Sequence, residues 1–130
     1  MAERSFHAPG HSTVSVYLMA DRPQEVIDFV TDVLDGSVLL RHDREDGSLM
    51  HASLQIGDSV VMLGGASPDF PGFPVWLHVY VPDVDATYRR ALARGAGSAQ
   101  EPSEKGDGDR RGGVMDPAGN TWWIATHVGR

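Results

Sequence analysis

One short stretch of the chain carries three side chains, Trp76, His78 and Tyr80, that could together bind a flat organic molecule. Their spacing of two residues places them on one face of the strand predicted for residues 76–81. Aromatic pairs contribute about 0.5–1.5 kcal/mol beyond the burial of their area, so these rings could form a wall for a planar ligand. The histidine or the tyrosine would add one directional hydrogen bond. The open alternative is that the rings fill a core or a dimer interface.

The six histidines do not have the spacing of a zinc site. They are His7, His11, His42, His51, His78 and His127. His7 and His11 lie four residues apart, but they precede the first predicted strand and are not on a helix. His51 and His78 lie on predicted strands, where each could be a polar group in a pocket or a histidine that bonds to a neighbour or to solvent.

Other catalytic constellations are absent from the sequence. The chain has no cysteine, which excludes thiolate metal sites and cysteine nucleophiles. The carboxylates are dispersed over a helix face, a turn and a loop, so no acid/base pair is predicted. No Gly-x-Ser-x-Gly elbow and no dinucleotide-binding glycine pattern are found. We therefore expect no catalytic residue and no cofactor, and the residues favour binding over catalysis.

Composition and charge limit the partners. A chain of 130 residues is enough for one domain. Acidic residues outnumber basic ones 18 to 11, and the net charge of −7 opposes binding to nucleic acid or to an anionic membrane. No stretch approaches the roughly 18 apolar residues of a membrane span, and the N-terminus lacks the apolar segment of a secretory signal. Together with the absence of cysteine, these features predict a cytoplasmic protein.

The pattern strand, helix, strand, strand, strand occurs twice along the chain. In the first copy, strands are predicted for residues 13–19, 37–41, 49–56 and 59–63, with a helix that Asp21 caps and Gly36 ends. Residues 64–75 form a connection rich in glycine and proline.

The second copy begins with the strand over 76–81, followed by a helix that Asp83 caps and Gly95 ends. Residues 101–113 are predicted to be a polar, glycine-rich loop, and the last strand covers 121–126. Because the order of elements repeats, each half is a module of one duplicated unit.

This duplicated module resembles the vicinal oxygen chelate superfamily, which includes glyoxalase I, extradiol dioxygenases and bleomycin-resistance proteins. The resemblance is carried by ADRPQEVIDFV, MHASLQIGDSVVMLGG, LHVYVPDVDATYRRALARGA and GDRRGGVMDPAGNTWWIATHV. The last segment is most similar to the PhnB-like or bleomycin-resistance-like branch. The resemblance implies an α+β fold in which two βαβββ modules form a curled mixed-sheet cup. The single domain would cover 13–127, with modules at about 13–63 and 76–127 and a lead-in over 1–12.

The resemblance implies the cup of the family but not its metal site. Metal-dependent members hold their ion with His and Glu, at positions that correspond here to Val14, Met62, Trp76 and Trp123. These four residues lack the nitrogen and oxygen ligands of such sites, so we expect no bound metal. Trp76 and Trp123 would then face one another across one cup, or across two chains if the modules exchange. The floor of the cup would be formed by Met62, Val14, Val16 and Leu18.

Residues and resemblance together predict a metal-free small-molecule-binding protein that sequesters an aromatic or amphipathic, drug-like compound. The candidate ligand-binding residues are Trp76, His78, Tyr80, Trp123, Met62, His51, Phe70 and Phe73. A homodimer is expected, because the resemblance implies that each module leaves strand edges and a sheet face that a second chain can cover. One alternative is a metal-dependent lyase or dioxygenase of the same superfamily, with His51 and His78 as its credible ligands. Another is a protein whose cup is vestigial.

Overall fold

Two four-stranded mixed sheets, each with one helix, make up residues 6–129, the part of the chain that the structure, a computed structural model, describes. The first module contains β1 (Val16–Ala20), α1 (Pro23–Val33), β2 (Ser37–Asp43), β3 (Leu49–Ile56) and β4 (Ser59–Gly65). The second contains β5 (Trp76–Tyr80), α2 (Val84–Ala93), β6 (Gly97–Glu104), β7 (Asp109–Met115) and β8 (Thr121–His127). The predicted fold class, α+β with two βαβββ modules, is confirmed.

The two sheets have the same topology. Their strand orders are β1-β4-β3-β2 and β5-β8-β7-β6. In each sheet the first strand pairs in parallel with the last strand of its module, and the other pairs are antiparallel. As a result, β1 and β5 both lie at sheet edges.

The helices begin and end at local signals, with one difference from the sequence prediction. Asp83 caps α2, because its carboxylate accepts a hydrogen bond from the Ala86 amide at 3.1 Å. The predicted cap of α1 by Asp21 is wrong: Arg22 occupies that position and makes no side-chain cap, while Pro23 opens the first turn. Gly95 follows α2 with a φ of 93°, a left-handed conformation that glycine adopts without strain.

Each helix covers one face of its own sheet, and we call the opposite face of each sheet its outer face. Leu18 is 1% exposed and lies on the covered face under α1, so its predicted place on the floor of the cup is wrong. Val14 precedes β1 and is exposed. The sequence correctly predicted the alternation of side chains along β1. However, α1 packs on the face of β1 that was predicted to bind the ligand.

Contacts between α1 and the second module join the two modules on the helix side. The Phe29 ring of α1 lies 5.8 Å from the Trp122 ring of β8, and both are buried. Arg90 of α2 donates to the Val33 carbonyl, at the end of α1, with an Nη2–O distance of 2.6 Å. A cation at a helix C-terminus satisfies a carbonyl that has no partner within the helix.

The predicted loop over residues 101–113 is largely strand. β6 and β7 pair antiparallel through this segment, from Gly97 opposite Met115 to Glu104 opposite Arg110. β6 is an edge strand with mostly polar, exposed side chains, and its register shifts next to Pro102. An edge strand tolerates proline and needs no apolar alternation, so the sequence lacked the usual signal for it.

The predicted lead-in covers residues 1–12, of which residues 1–5 lie outside the described residues. Residues 6–12 approach the outer face of the first sheet, where the His11 Nε2 and Ser53 Oγ atoms lie 2.8 Å apart. Ser53 is fully buried. None of the described helices is long and apolar enough to cross a membrane.

Candidate ligand-binding site

Four rings lie together on the outer face of the second sheet, and we call this surface the aromatic face: Trp76, His78, Tyr80 and Trp123. Alternation along β5 puts Leu77 under α2 and its neighbours on the outer face. The parallel register sets His78 beside Trp123 of β8. Trp76 is 76% exposed and Tyr80 is 62% exposed. The sheet therefore presents a large aromatic surface to solvent.

The two indoles are neighbours on one sheet. The prediction that they face each other across a cup is wrong. Their ring centroids are 5.3 Å apart, with an angle of 75° between the planes. This edge-to-face contact follows from the pairing of β5 with β8. The Trp123 ring lies over Gly113, where an added Cβ would come within 2.7 Å of Cζ3. Glycine at that position is what allows the ring to lie so close to the sheet.

Asp109 organises the polar border of the aromatic face. Its Oδ2 accepts hydrogen bonds from the Tyr80 hydroxyl and from Arg111 Nη2, each at 2.8 Å. Its Oδ1 lies 2.8 Å from His127 Nδ1. Hydrogen bonds from His127 and Tyr80 lower the pKa of this carboxyl below its usual range. Asp109 therefore stays ionised and fixes three side chains from one point.

Arg111 connects this carboxylate to the histidine of the aromatic face. Its Nε donates to His78 Nε2 at 3.1 Å, and its Nη1 donates to Asp107 Oδ2 at 2.8 Å. Partial burial, and then the nearby Arg111 charge, lower the pKa of His78. At neutral pH the imidazole is consequently uncharged. Its ring also contacts the ring of Tyr80, at 4.9 Å between centroids.

A cleft of about 770 Å³ separates the two modules beside this surface. Trp76, His78 and Tyr80 line it from β5, and residues that include Val16 and Val61 line it from the first module. Its lining mixes polar and apolar side chains, and its volume lies in the range of small-molecule sites.

The other predicted site residues lie elsewhere. Met62 and His51 belong to the first sheet, where the His51 Nδ1 and Tyr17 hydroxyl oxygen atoms are 2.9 Å apart. Phe73 forms a bridge with Met19 of β1 and lines a separate groove near the start of α1. Phe70 is exposed in the same connection. The structure thus brings together Trp76, His78, Tyr80 and Trp123, and it does not bring the remaining four to them.

Sequence reasoning missed Asp109 and His127 as part of this surface, and it assigned Arg111 to the loop predicted for residues 101–113. Asp109, Arg111 and Gly113 alternate along β7, and their register partners alternate along β8. That period of two was a signal for strands, but the glycines around it favoured a loop.

The residues present do not fit the metal centre of the resembled superfamily. Met62, Trp76 and Trp123 offer no hard nitrogen or oxygen ligand, and Val14 lies before β1. Within residues 6–129 no group of three or more His, Asp or Glu side chains is placed to hold an ion. His51 and His78 lie on different sheets, and each is hydrogen-bonded to a neighbour. We derive no metal-dependent step.

Comparisons with known proteins give the same fold. The family described as Glyoxalase/Bleomycin resistance protein/Dioxygenase superfamily matches residues 10–124. A relative in Mycobacterium bovis, "Uncharacterized protein Mb0911c", is 38% identical over 126 residues, which cover 88% of this chain and 83% of that protein. The crystal structure of TioX from Micromonospora sp. ML1 has a TM-score of 0.72 and 27% identity, and the match covers 88% of this chain and 95% of that one. TnmS3, an antibiotic binding protein from Streptomyces sp. CB03234, has a TM-score of 0.69 and 20% identity, over 90% and 99% of the two chains.

Proposed function

This chain belongs to the Glyoxalase/Bleomycin resistance protein/Dioxygenase superfamily, and we propose that it binds a planar aromatic small molecule and sequesters it without chemical change. The observation that carries the proposal is the exposure of the aromatic face, where Trp76 and Tyr80 are 76% and 62% exposed. Exposed apolar surface rimmed by polar groups marks interaction sites, because leaving it in water is unfavourable.

The rings of this face provide a wall against which a flat molecule can stack. Trp76 and Trp123 contact each other edge to face, so one indole can stack on a ligand while the other supports its edge. The adjoining cleft supplies apolar side chains from both modules, such as Val61 and Val79. Two aromatic contacts with this burial would support micromolar affinity, about −8 kcal/mol.

Capture without turnover is favoured by the chemistry of the side chains around the face. The carboxylate and the guanidinium there, Asp109 and Arg111, are engaged with each other and with protein side chains. TnmS3, which shares the fold, is described as an antibiotic binding protein. This likeness supports binding as the task, while the nature of the bound compound is part of the proposal.

The proposal is tested by the affinity of the protein for a panel of planar aromatic compounds, measured by quenching of tryptophan fluorescence. Trp76→Ala should weaken binding about 10- to 100-fold, the loss of one aromatic wall. Phe6→Ala removes another exposed ring, 85% exposed and outside the aromatic face, and should leave the affinity unchanged. Trp76→Ala protein that binds every compound as well as wild type would overturn the proposal, and unfolding of this variant would indicate a structural role.

We also propose that the protein is a homodimer. Among the described strands, β1 and β5 are edge strands along the cleft, and only Met19 of β1 is bridged there, by Phe73. A second copy could cover the remaining length of these edges. Closed two-fold pairing is the commonest way for such surfaces to be buried. Sedimentation velocity at tens of micromolar should show a dimer, and a single monomeric species would contradict this.

A further inference from the structure

We propose that the ligand of the aromatic face is a planar ring compound with a carbonyl-type oxygen, and that this oxygen accepts a hydrogen bond from Nδ1–H of His78. The inference rests on the proposed function and deepens it, because it states which chemical group the ligand must carry. The hydrogen bonds that Arg111 makes at the border of the aromatic face show which groups are left to bind a ligand.

The bond between Arg111 and His78 fixes the tautomer of the imidazole. A guanidinium can only donate, so His78 Nε2, which lies 3.1 Å from Arg111 Nε, must be the acceptor and carries no proton. The proton of the neutral ring is therefore on Nδ1. Among the described residues, Nδ1 of His78 has no hydrogen-bond partner, so it is a donor left for a ligand.

The orientation of this donor is set by two carboxylates. Asp107 and Asp109 each accept from one terminal nitrogen of Arg111 at 2.8 Å, which leaves Nε directed at His78. Donation to Nε2 withdraws electron density from the ring and strengthens the Nδ1–H donor, because bonds in a chain polarise one another. Arg111 is consequently a positioning residue for the histidine.

Both carboxylate oxygens of Asp109, at the border of the aromatic face, already accept hydrogen bonds, whereas three N–H donors have no partner among residues 6–129. Both oxygens of Asp109 are engaged, by Tyr80, Arg111 and His127. The indole N–H groups of Trp76 and Trp123 form no hydrogen bond within residues 6–129, and an indole can only donate. A ligand lying on these rings meets N–H groups, so an acceptor at its edge gains a bond that a donor would not.

The test compares 9-fluorenone with fluorene, two flat, neutral molecules that differ at one carbon, which is a carbonyl in fluorenone and a methylene in fluorene. Binding is measured by equilibrium dialysis with the protein in excess. Wild type should bind fluorenone about tenfold tighter, the effect of one hydrogen bond. Fluorene is the more apolar compound, so burial alone would give the opposite order.

The variant His78→Phe keeps a ring of similar size and removes the donor. It should bind both compounds with the affinity that wild type has for fluorene. His42→Phe makes the same change on β2 of the first sheet, where the side chain is exposed, and should keep the preference for fluorenone. Circular dichroism spectra of both variants report whether the fold is retained.

The outcomes separate the two proposals. If wild type binds neither compound, the proposed function fails and this inference fails with it. If wild type binds both equally or prefers fluorene, or if His78→Phe keeps the preference, the inference alone is overturned. Imidazole ¹⁵N shifts of the free protein give a measurement without ligand: the spectrum should show the proton of His78 on Nδ1, and a proton on Nε2 would overturn the assignment.

Discussion

The two sheets have the same topology, but the rest of the chain covers their outer faces to different extents. On the first sheet, Ser53 is fully buried and bonded to His11 of the N-terminal segment. On the second, Trp76 and Tyr80 remain mostly exposed. One copy of the module thus has part of its outer face covered by the chain itself, and the other leaves its rings free.

The positions on the two faces correspond closely. Helix α2 begins 61 residues after α1, at Val84 against Pro23. The same offset relates the parallel pair Tyr17 and Met62 to the pair His78 and Trp123. Each sheet also has a side-chain contact from its first strand to its third: Tyr17 to His51, and His78 to Arg111.

The difference teaches that the backbone of this fold provides two equivalent surfaces and the side chains decide which one can bind. Tyr17 bonds to Nδ1 of His51, and methionine replaces tryptophan at the neighbouring position. On the second sheet an arginine takes one nitrogen of the histidine and leaves the other free. A binding surface therefore arises where the equivalent positions carry more exposed rings, among them two indoles.

The largest difference in stability should come from substitutions in the turn that precedes the last strand of each module. Asp116 is buried and accepts from four donors: the amides of Ala118 and Asn120, the Asn120 side chain and Trp122 Nε1. Asp116→Ala should lower the free energy of unfolding by about 3 kcal/mol, because buried donors lose their partner. Asp58→Ala, in the exposed turn of the first module, should change it by less than about 0.5 kcal/mol. Urea denaturation measures both, and equal effects would contradict the comparison.

Substitution of Gly113 should lower the free energy of unfolding more than substitution of Gly64. A Cβ at 113 would come within 2.7 Å of the Trp123 ring and 3.2 Å of Ala99 Cβ. Gly113→Ala should cost about 1–3 kcal/mol and change the near-UV dichroism of the tryptophans. At Gly64 the nearest atom is Met19 Sδ, in a flexible side chain that can move aside, so Gly64→Ala should cost less. An unchanged near-UV spectrum for Gly113→Ala would show that Trp123 does not depend on this approach.

Removal of His11 should make the two outer faces more alike. His11→Ala breaks the bond to buried Ser53 and should lower the free energy of unfolding by about 1 kcal/mol. Hydrogen exchange should become faster in β3, which His11 contacts through Ser53, and stay unchanged in β7. If β3 amides exchange as slowly as in wild type, the segment contributes no protection.

The smallest effect should come from acid. Burial is the first cause that lowers the pKa of His51 and of His78, one on each outer face. Below the usual histidine pKa of about 6.5, the unfolded chain takes up protons more readily than the folded one. The free energy of unfolding therefore decreases as the pH falls. Denaturation at pH 7 and at about pH 5.5 should show this fall, and His51→Gln or His78→Gln should each reduce it. The lowered pKa values of Asp107 and Asp109 keep both carboxyls ionised in this window. Stability that rises toward acid would contradict the prediction.

Much of the fold was predictable because its signals are local. Alternation predicted β3 and β5, Asp83 and Gly95 bounded α2, and the repeated order of elements led to the duplicated module. β6 and the start of β7 were not predicted, since an edge strand that contains Pro102 is stabilised by its partner strand and not by its own pattern.

The sequence by itself determined which residues share a strand face: Trp76, His78 and Tyr80 follow the period of two that the backbone imposes. Only the tertiary structure decided which face lies under a helix, because alternation is the same for both faces and helix packing selects one. For that reason Leu18 was assigned to the cup and lies in the core. Strand pairing likewise decided that the two indoles are neighbours, and that residues 33 positions apart, His78 and Arg111, share a hydrogen bond. Such contacts depend on which strands meet, and no spacing along the chain encodes that.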